Sequence, residues 1–389
     1  PKSSISFSDN RLIISLIFTG VMFPSIISKR ERKVKLGKTF RQSILIVGLA
    51  SLIILLPLFI FSENIRPVVL RPPARHPVLW YLWFEVSVRR FLEKRKIDLF
   101  VSPDGYIPIR SKIPSIPVIH DINFFHRPED LPVFTRFYYN YFFPRFAGKA
   151  ARIATVSEYS ARDIVKNYNI DRKQIDVVYN GVNENFGPLP DGKIKHNRKK
   201  LSDDCPYFVF VGSLHPRKNV TNLLKAYDLF REKSNENVKM LIVGEKFFLT
   251  SAIENVMQKM RFREDVIFTG RLEAKELHNV LASALALTFI PYFEGFGIPV
   301  IEAMKCGIPV IASNVTSLPE VGGESVLYAD PDDIEKVSDL MKLIAEDENV
   351  RQSLVKKGFE RVELFSWDKT AKKLWNCIEK VLNETQVVL

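Results

Sequence analysis

Cysteine is scarce. The 389 residues hold three, Cys205, Cys306 and Cys377, far apart and with no Cys-x-x-Cys pair. An odd, scattered set builds neither a disulfide framework nor a zinc site, and it suits a reducing compartment. No cluster of hard oxygen ligands or of His and Cys stands in the segments singled out below, so no metal ligand and no metal requirement is expected. Asp330-Pro331-Asp332 has the spacing of a metal-binding acidic triplet, but it follows a strand read as remote from the site. It is taken as a turn and helix cap. A basic stripe interleaved with stacking aromatics is also missing, which argues against nucleic acid as a partner.

What is present is enough chain for two domains, each with its own core. Hydrophobic residues at 46% and charged residues at 26% place it among soluble globular proteins. The formal charge of +12 is uneven: residues 1–61 carry nine Lys and Arg against only Asp9 and Glu31. That segment contains two apolar runs, Leu12–Ser28 and Ile44–Phe61, around the basic stretch KRERKVKLGKTFR. It admits three readings. One is a membrane anchor or re-entrant hairpin, although both runs are short for a span and each contains a proline. Another is a strongly diverged strand–helix–strand. The third, favoured by the abrupt change of texture at FSENIRPVV and by a first residue other than Met, is an artefact such as an out-of-frame start.

From about residue 62 short apolar runs alternate with amphipathic stretches. PVVL (67–70), DLFVSP (98–103), PVIHD (117–121), RIATVS (152–157) and IDVVYNG (175–181) read as strands, with helices over 77–95 and 132–149. The second half repeats the pattern in YFVFVGS (207–213), VKMLIVG (238–244), DVIFTG (265–270), ALALTFIP (284–291), IPVIAS (308–313) and SVLYAD (325–330). Continuously apolar strands are those covered on both faces, so the fold class is α/β, with two doubly wound Rossmann-like domains. Their expected limits are 62–190 and 205–365, with a polar linker at 191–204 and a C-terminal helix over 366–389 that crosses back to the first domain. Ligands of such sheets sit at the carboxyl ends of strands.

Three segments carry chemistry. In PYFEGFGIPVIEAMKCGIPVIAS (291–313), Gly295 and Gly297 flank Phe296, and Glu294 and Glu302 flank the whole turn. Glycines let backbone approach a ligand, Pro299 opens a helix, and the amides before it face an anion. Two carboxylates around such a start suit a ligand bearing both phosphates and hydroxyls. In VFVGSLHPRKN (209–219), a buried strand opens into Arg217 and Lys218, two cations placed to neutralise a leaving diphosphate, with Asn219 as helix N-cap. In PVIHDINFFHRPED (117–130), His120 ends a strand and is placed to donate to a sugar hydroxyl or carbonyl, with Asp121 orienting its ring or an acceptor.

With those residues in view the chain resembles the GT-B glycosyltransferases of family 4, which include many bacterial mannosyl- and glucosyltransferases of polysaccharide assembly. The resemblance runs from about residue 62 to the end. Besides the 291–313 run it is most specific at GSLHPRKN (212–219), FTGRLEAKEL (268–277), SNVTSLPEVGG (313–323) and VIHDINFFHRPE (118–129). It implies two domains facing a cleft and transfer from a UDP-, GDP- or ADP-sugar to a hydroxyl acceptor, a saccharide or lipid-linked saccharide, with retention and without cofactor. It assigns Lys218 and Arg217, on the loop that begins Gly212-Ser213, to the donor diphosphate. Glu294 and the Phe296–Gly297–Ile298 backbone are assigned to the transferred sugar, and Glu302 to the ribose. Arg271 and Leu272 would flank the base, and His120 would face the sugar from across the cleft, with Asp121 toward the acceptor. Two departures stand out. Ser213 occupies a place where many members have Arg, and residues 1–61 hold no adjacent glycine pair to form the usual acceptor loop. The rival readings are a nucleotide-sugar-binding relic and an epimerase or phosphorylase on the same fold.

The aromatic runs WYLWFE (80–85) and FYYNYFFPRF (137–146) read as core and cleft wall. With Arg145, Lys149 and Arg152 nearby, peripheral association with a membrane that carries the acceptor is the alternative. Localisation is expected to be cytoplasmic or at the inner face of the cytoplasmic membrane.

Overall fold

A computed structural model describes residues 12–16, 44–49, 65–71, 77–245 and 251–387. The chain divides into two compact units: Pro1–Val178 with Ala371–Leu389, and Tyr179–Thr370.

The first unit is built on a parallel sheet of β1 (Leu12–Leu16), β2 (Ile44–Leu49), β3 (Ile65–Leu70), β4 (Leu99–Ser102) and β5 (Ser115–Pro117). Their order is β3-β2-β1-β4-β5, so connections run outward in both directions from the β1–β4 pair. That pair is the switch point of a doubly wound sheet. A second parallel pair, β6 (Ile153–Thr155) and β7 (Ile175–Val177), joins through a bridge between Val118 and Ala154.

This arrangement corrects the expectation for the N-terminal segment. The opening strands that an artefact would leave missing are present at the start of both apolar runs. The anchor reading called for antiparallel helices there, whereas β1 and β2 pair in parallel from Leu12–Ile44 to Leu16–Gly48. A short parallel strand is a continuous apolar run, and by sequence it cannot be told from the beginning of a membrane span. The remainder of both runs, the basic stretch between them, and Gly20 lie outside the described residues. Among the described residues no helix is long and apolar enough to cross a membrane.

Among the described residues two cores lie in this unit. One gathers Trp83, Phe84, Phe100, Tyr106, Phe143 and Phe146, so the WYLWFE run is core as expected. The other joins Leu99, Val101, Ile116 and Ala154 to Cys377, Ile378 and Val381 of the C-terminal helix Trp367–Val387.

The second unit carries a six-stranded parallel sheet: β8 (Tyr207–Val211), β9 (Lys239–Val243), β10 (Val266–Gly270), β11 (Ala286–Phe289), β12 (Val310–Ser313) and β13 (Leu327–Ala329). The order is β10-β9-β8-β11-β12-β13. The polar stretch read as a linker is instead the helix Asp191–Ser202, inside this unit. Asn197 Nδ2 donates to Ser283 Oγ at 2.9 Å, and Arg198 Nε donates to the Ser283 carbonyl at 2.9 Å. Lys- and Arg-rich sequence has good helix propensity, and these two side chains tie the helix to Ser283. The division between units falls earlier, after Val178.

Candidate active site

Topology fixes where a ligand enters the second unit. β8 and β11 are neighbours, yet the connections leave them toward opposite edges, so a crevice opens beyond their carboxyl ends. Loop 212–219 follows β8, and loop 290–297 follows β11. Both strands are buried along their whole length, which makes them a rigid base for the two loops. A Cβ at Gly244, beyond β9, would stand 1.8 Å from the Gly212 carbonyl oxygen, so only glycine allows that strand end to close against the first loop.

The two loops bring three predicted residues together. Lys218 and Glu294 are each 8% exposed. The Lys218 ammonium contacts the Glu294 carboxylate directly, and Arg217 Nη1 donates to Glu294 Oε1 at 2.9 Å and to the Phe293 carbonyl at 3.0 Å. The ammonium also lies 5.1 Å from the centroid of the Phe289 ring. Burial alone would raise the pKa of Glu294; Lys218, and then Arg217, outweigh it and hold the carboxyl below the usual range. Two cations thus converge on the Glu294 carboxylate.

Amide and hydroxyl side chains hold these loops. Arg217 and Lys218 lie in the 3-10 turn Pro216–Lys218, and Asn219 follows with φ +57°. Asn219 was expected to cap the next helix, but its side chain makes no cap bond. Its Nδ2 donates to the carbonyls of Ile290, at 3.1 Å, and Pro331, at 2.7 Å, tying three loops at one point. Asn222 Nδ2 donates to Tyr292 Oη at 3.0 Å and to Asp332 Oδ1 at 3.1 Å, while Tyr292 Oη donates to Asp332 Oδ1 at 2.7 Å. The Asp330–Asp332 turn is therefore no remote cap: it buttresses the loops that hold Lys218 and Glu294.

Thr316 has φ +57°, a left-handed conformation costly for a β-branched residue. Its Oγ1 accepts the Glu294 N–H at 3.2 Å, and Ser317 Oγ donates to the Glu294 carbonyl at 2.8 Å. Both main-chain groups of Glu294 are thereby held by the 313–323 run.

Past Glu294, Gly297 (φ +96°) precedes the helix Ile298–Cys306, with Pro299 in its first turn. A Cβ at Gly297 would come within 2.5 Å of Leu318 Cδ2 on a left-handed backbone, so a side chain there is strained. Phe296 is buried against Tyr179 and Phe365, which leaves only its backbone to meet a ligand. Glu302 lies one turn into this helix, half-buried, and burial without a compensating cation pushes its pKa up to about 8. Ser213 is half-buried in the first loop, where a Cβ at Gly212 would lie 3.8 Å from Lys218 Cε. Arg271 is exposed and Leu272 half-buried beyond β10. That strand is two places from β8, so at about 4.8 Å per strand they stand roughly 10 Å to the side of the cluster.

In the first unit, His120 lies beside the end of β4. Its Nε2 is 2.9 Å from the Pro103 carbonyl, which can only accept, so Nε2 bears the hydrogen. Nδ1 is buried without a protein partner. Burial lowers the pKa despite the Pro103 bond and Asp121, so the ring is neutral and Nδ1 presents a lone pair. The expected donor is an acceptor. Nor does Asp121 orient the ring: its Oδ1 accepts from the Asn123 N–H at 2.9 Å and from Asn123 Nδ2 at 2.5 Å. Among the described residues no group of three His, Cys, Asp or Glu is arranged to hold a metal ion.

Crevice, cation pair and glycine-led helix come together at the strand ends of an α/β sheet, and comparison with known proteins gives the family. Residues 56–186 match the model described as Glycosyltransferase Family 4, and residues 192–361 the model described as Glycosyl transferases group 1. The chain belongs to the family 4 glycosyltransferases of GT-B fold. It is 27% identical over 293 residues to O-antigen chain mannosyltransferase B of Escherichia coli, covering 75% of each chain. It is 27% identical to O-antigen chain mannosyltransferase RfbU of Salmonella typhimurium, covering 66% of this chain and 68% of the relative. Among solved structures, Anabaena HepE in complex with UDP and glucose superposes with a TM-score of 0.72 at 15% identity, over 95% of this chain and all of that one.

Proposed function

We propose that this glycosyltransferase moves mannose from a nucleoside-diphosphate donor to a hydroxyl of a growing, membrane-borne polysaccharide, with retention at the anomeric carbon and without a metal ion. The observation that carries the reading is the buried Lys218–Arg217–Glu294 cluster at the switch point of the second sheet. The O-antigen mannosyltransferases named above support the sugar and the acceptor class.

In this reading the acceptor oxygen bonds to the anomeric carbon as the bond from that carbon to the diphosphate oxygen breaks. Negative charge then develops on the diphosphate, where Lys218 and Arg217 stabilise it. A carboxylate whose pKa is held low is a poor proton acceptor, so Glu294 does not take the hydroxyl proton. The proton passes to the departing diphosphate on the same face, and the configuration is retained. Glu294 and the Phe296–Ile298 backbone hold the transferred sugar, Glu302 the ribose, and Arg271 with Leu272 flank the base. His120 Nδ1 accepts a hydrogen from a substrate hydroxyl. The setting is the cytoplasmic face of the membrane.

The test is transfer from GDP-, UDP- and ADP-linked sugars in the presence of excess EDTA, with the product anomer assigned by NMR. Transfer of mannose with retention supports the reading. Inversion, or activity lost to EDTA and restored by Mg²⁺ or Mn²⁺, overturns it.

A further inference from the structure

The second unit carries a cavity of about 550 Å³ at the end of its sheet away from the candidate active site. Leu285 precedes β11 and Pro309 precedes β12, so the cavity lies at the amino ends of these strands. Glu294, by contrast, follows the carboxyl end of β11. Cys306 and Gly307 reach the cavity from the last turn of the helix Ile298–Cys306, whose first turn stands at Gly297. At about 1.5 Å per residue, those nine residues separate the two ends by about 13 Å. A space of this size falls in the range of small-molecule sites.

Two helices supply much of its wall. Ile194 and Arg198 stand one turn apart on Asp191–Ser202. Arg351, Val355 and Phe359 recur at four-residue spacing along Glu348–Val362. Three cations line the cavity, Arg198, Arg351 and Lys356, against one carboxylate, Glu348. That carboxylate is already engaged: Gln352 Nε2 donates to Glu348 Oε1 at 3.1 Å, and Arg351 Nη2 stands 3.9 Å from Glu348 Oε2. Arg351 Nη1 donates to the carbonyls of Ile344, at 2.7 Å, and Ala345, at 3.1 Å. Arg198 donates only through Nε, to the Ser283 carbonyl. Among the described residues its two terminal nitrogens have no hydrogen-bond or ion-pair partner, and neither has the Lys356 ammonium. Arg198 is nevertheless half-buried. Burial lowers its pKa, Tyr207 and Asp204 oppose that, and Arg351 adds to the lowering. Two guanidiniums that repel each other beside one cavity are both stabilised by an anion placed there.

We propose that this cavity is a second ligand site, which takes a small organic phosphate. Its phosphate meets Arg198, Arg351 and Lys356, and its apolar body lies against Ile194, Val355 and Phe359. A phosphate dianion suits three cations better than a carboxylate does, and the planar fork of arginine matches phosphate oxygens. The site is separate from the donor crevice, so the inference stands apart from the sugar-transfer reading.

The experiment is calorimetric titration of the full chain with phenyl phosphate, a ring and a dianion in one probe, at a temperature where every variant is folded. Wild type is expected to bind it, and to bind inorganic phosphate more weakly. Arg198→Gln should weaken binding about tenfold, the loss of a charged hydrogen-bond donor. Because Arg198 also ties its helix to Ser283, Lys356→Glu is the second variant. Lys356 is exposed, so a fall of about fivefold in affinity should come with an unchanged melting temperature. Lys218→Ala, altered in the donor crevice, should keep the wild-type affinity for phenyl phosphate. No heat with wild type at millimolar phenyl phosphate, equal affinity for inorganic phosphate, wild-type affinity in either cavity variant, or loss of binding in Lys218→Ala would each overturn the proposal.

Discussion

At the scale of single residues, the pairing of Lys218 and Arg217 with Glu294 decides what substitution does. Lys218→Ala removes charge from the leaving diphosphate, and about 3 kcal/mol, roughly a hundredfold or more in turnover, is the expected loss. It also strips one cation from a buried carboxylate, so the melting temperature should fall as well. Adding Glu294→Gln should restore the melting temperature and leave activity low. Recovery of activity in the double variant would remove Lys218 from the chemistry. Glu302 makes a separate prediction. Its folded pKa of about 8 lies above the carboxylate's ordinary 4.5, so its contribution to stability is full below pH 4.5 and lost as pH rises through 8. Glu302→Gln should therefore match wild type near pH 5 and melt higher than wild type near pH 9. Melting curves with a constant difference across that range would show that the carboxyl is not desolvated. The types and spacing of Lys218, Arg217, Glu294 and Glu302 were legible in the sequence because each sits at a strand end or helix start. Their pairing was not, because residues 76 positions apart meet only through the order of the sheet. The tautomer of His120 was equally invisible: it depends on the carbonyl of Pro103, which no side-chain pattern reports.

At the scale of elements, Asn219 links the 3-10 turn bearing Arg217 and Lys218 to the loops after β11 and β13. Asn219→Gly keeps the left-handed backbone but removes a donor from the Ile290 and Pro331 carbonyls, the second of which keeps Asn222 Nδ2, at a cost of about 1–3 kcal/mol. Asn219→Asp should be worse, because a carboxylate would face those carbonyls. Activity should fall in the same order, glycine variant above aspartate variant, when both are assayed at a temperature where each is folded. The reverse order would mean that backbone geometry, and not the amide, holds the loops. Elements were read well where burial on both faces made runs such as YFVFV (207–211) and MLIV (240–243) apolar throughout. They were misread where composition misleads. The Asp191–Ser202 helix has the polarity of a linker, and only Asn197 and Arg198 reveal its docking. Thr316 in a left-handed conformation, holding the Glu294 amide, has no signal in a sequence of ordinary residue types.

At the scale of the whole molecule, two units each close a parallel sheet around its own switch point, and the chain returns to the first unit through its last helix. The first 61 residues looked foreign because strands β1 and β2 lie in long apolar runs with an intervening basic stretch. Pairing of β1 with both β2 and β4 makes them the centre of the first sheet. The account as a whole rests on a nucleotide-sugar site in the second unit. The most direct test is thermal unfolding of the full chain with GDP-, UDP- and ADP-linked sugars, since a ligand that binds only the folded state raises the melting temperature. One of these donors should raise it in wild type, and Lys218→Ala should abolish the rise. No shift with any donor, or an equal shift in the variant, would contradict the assignment of the site.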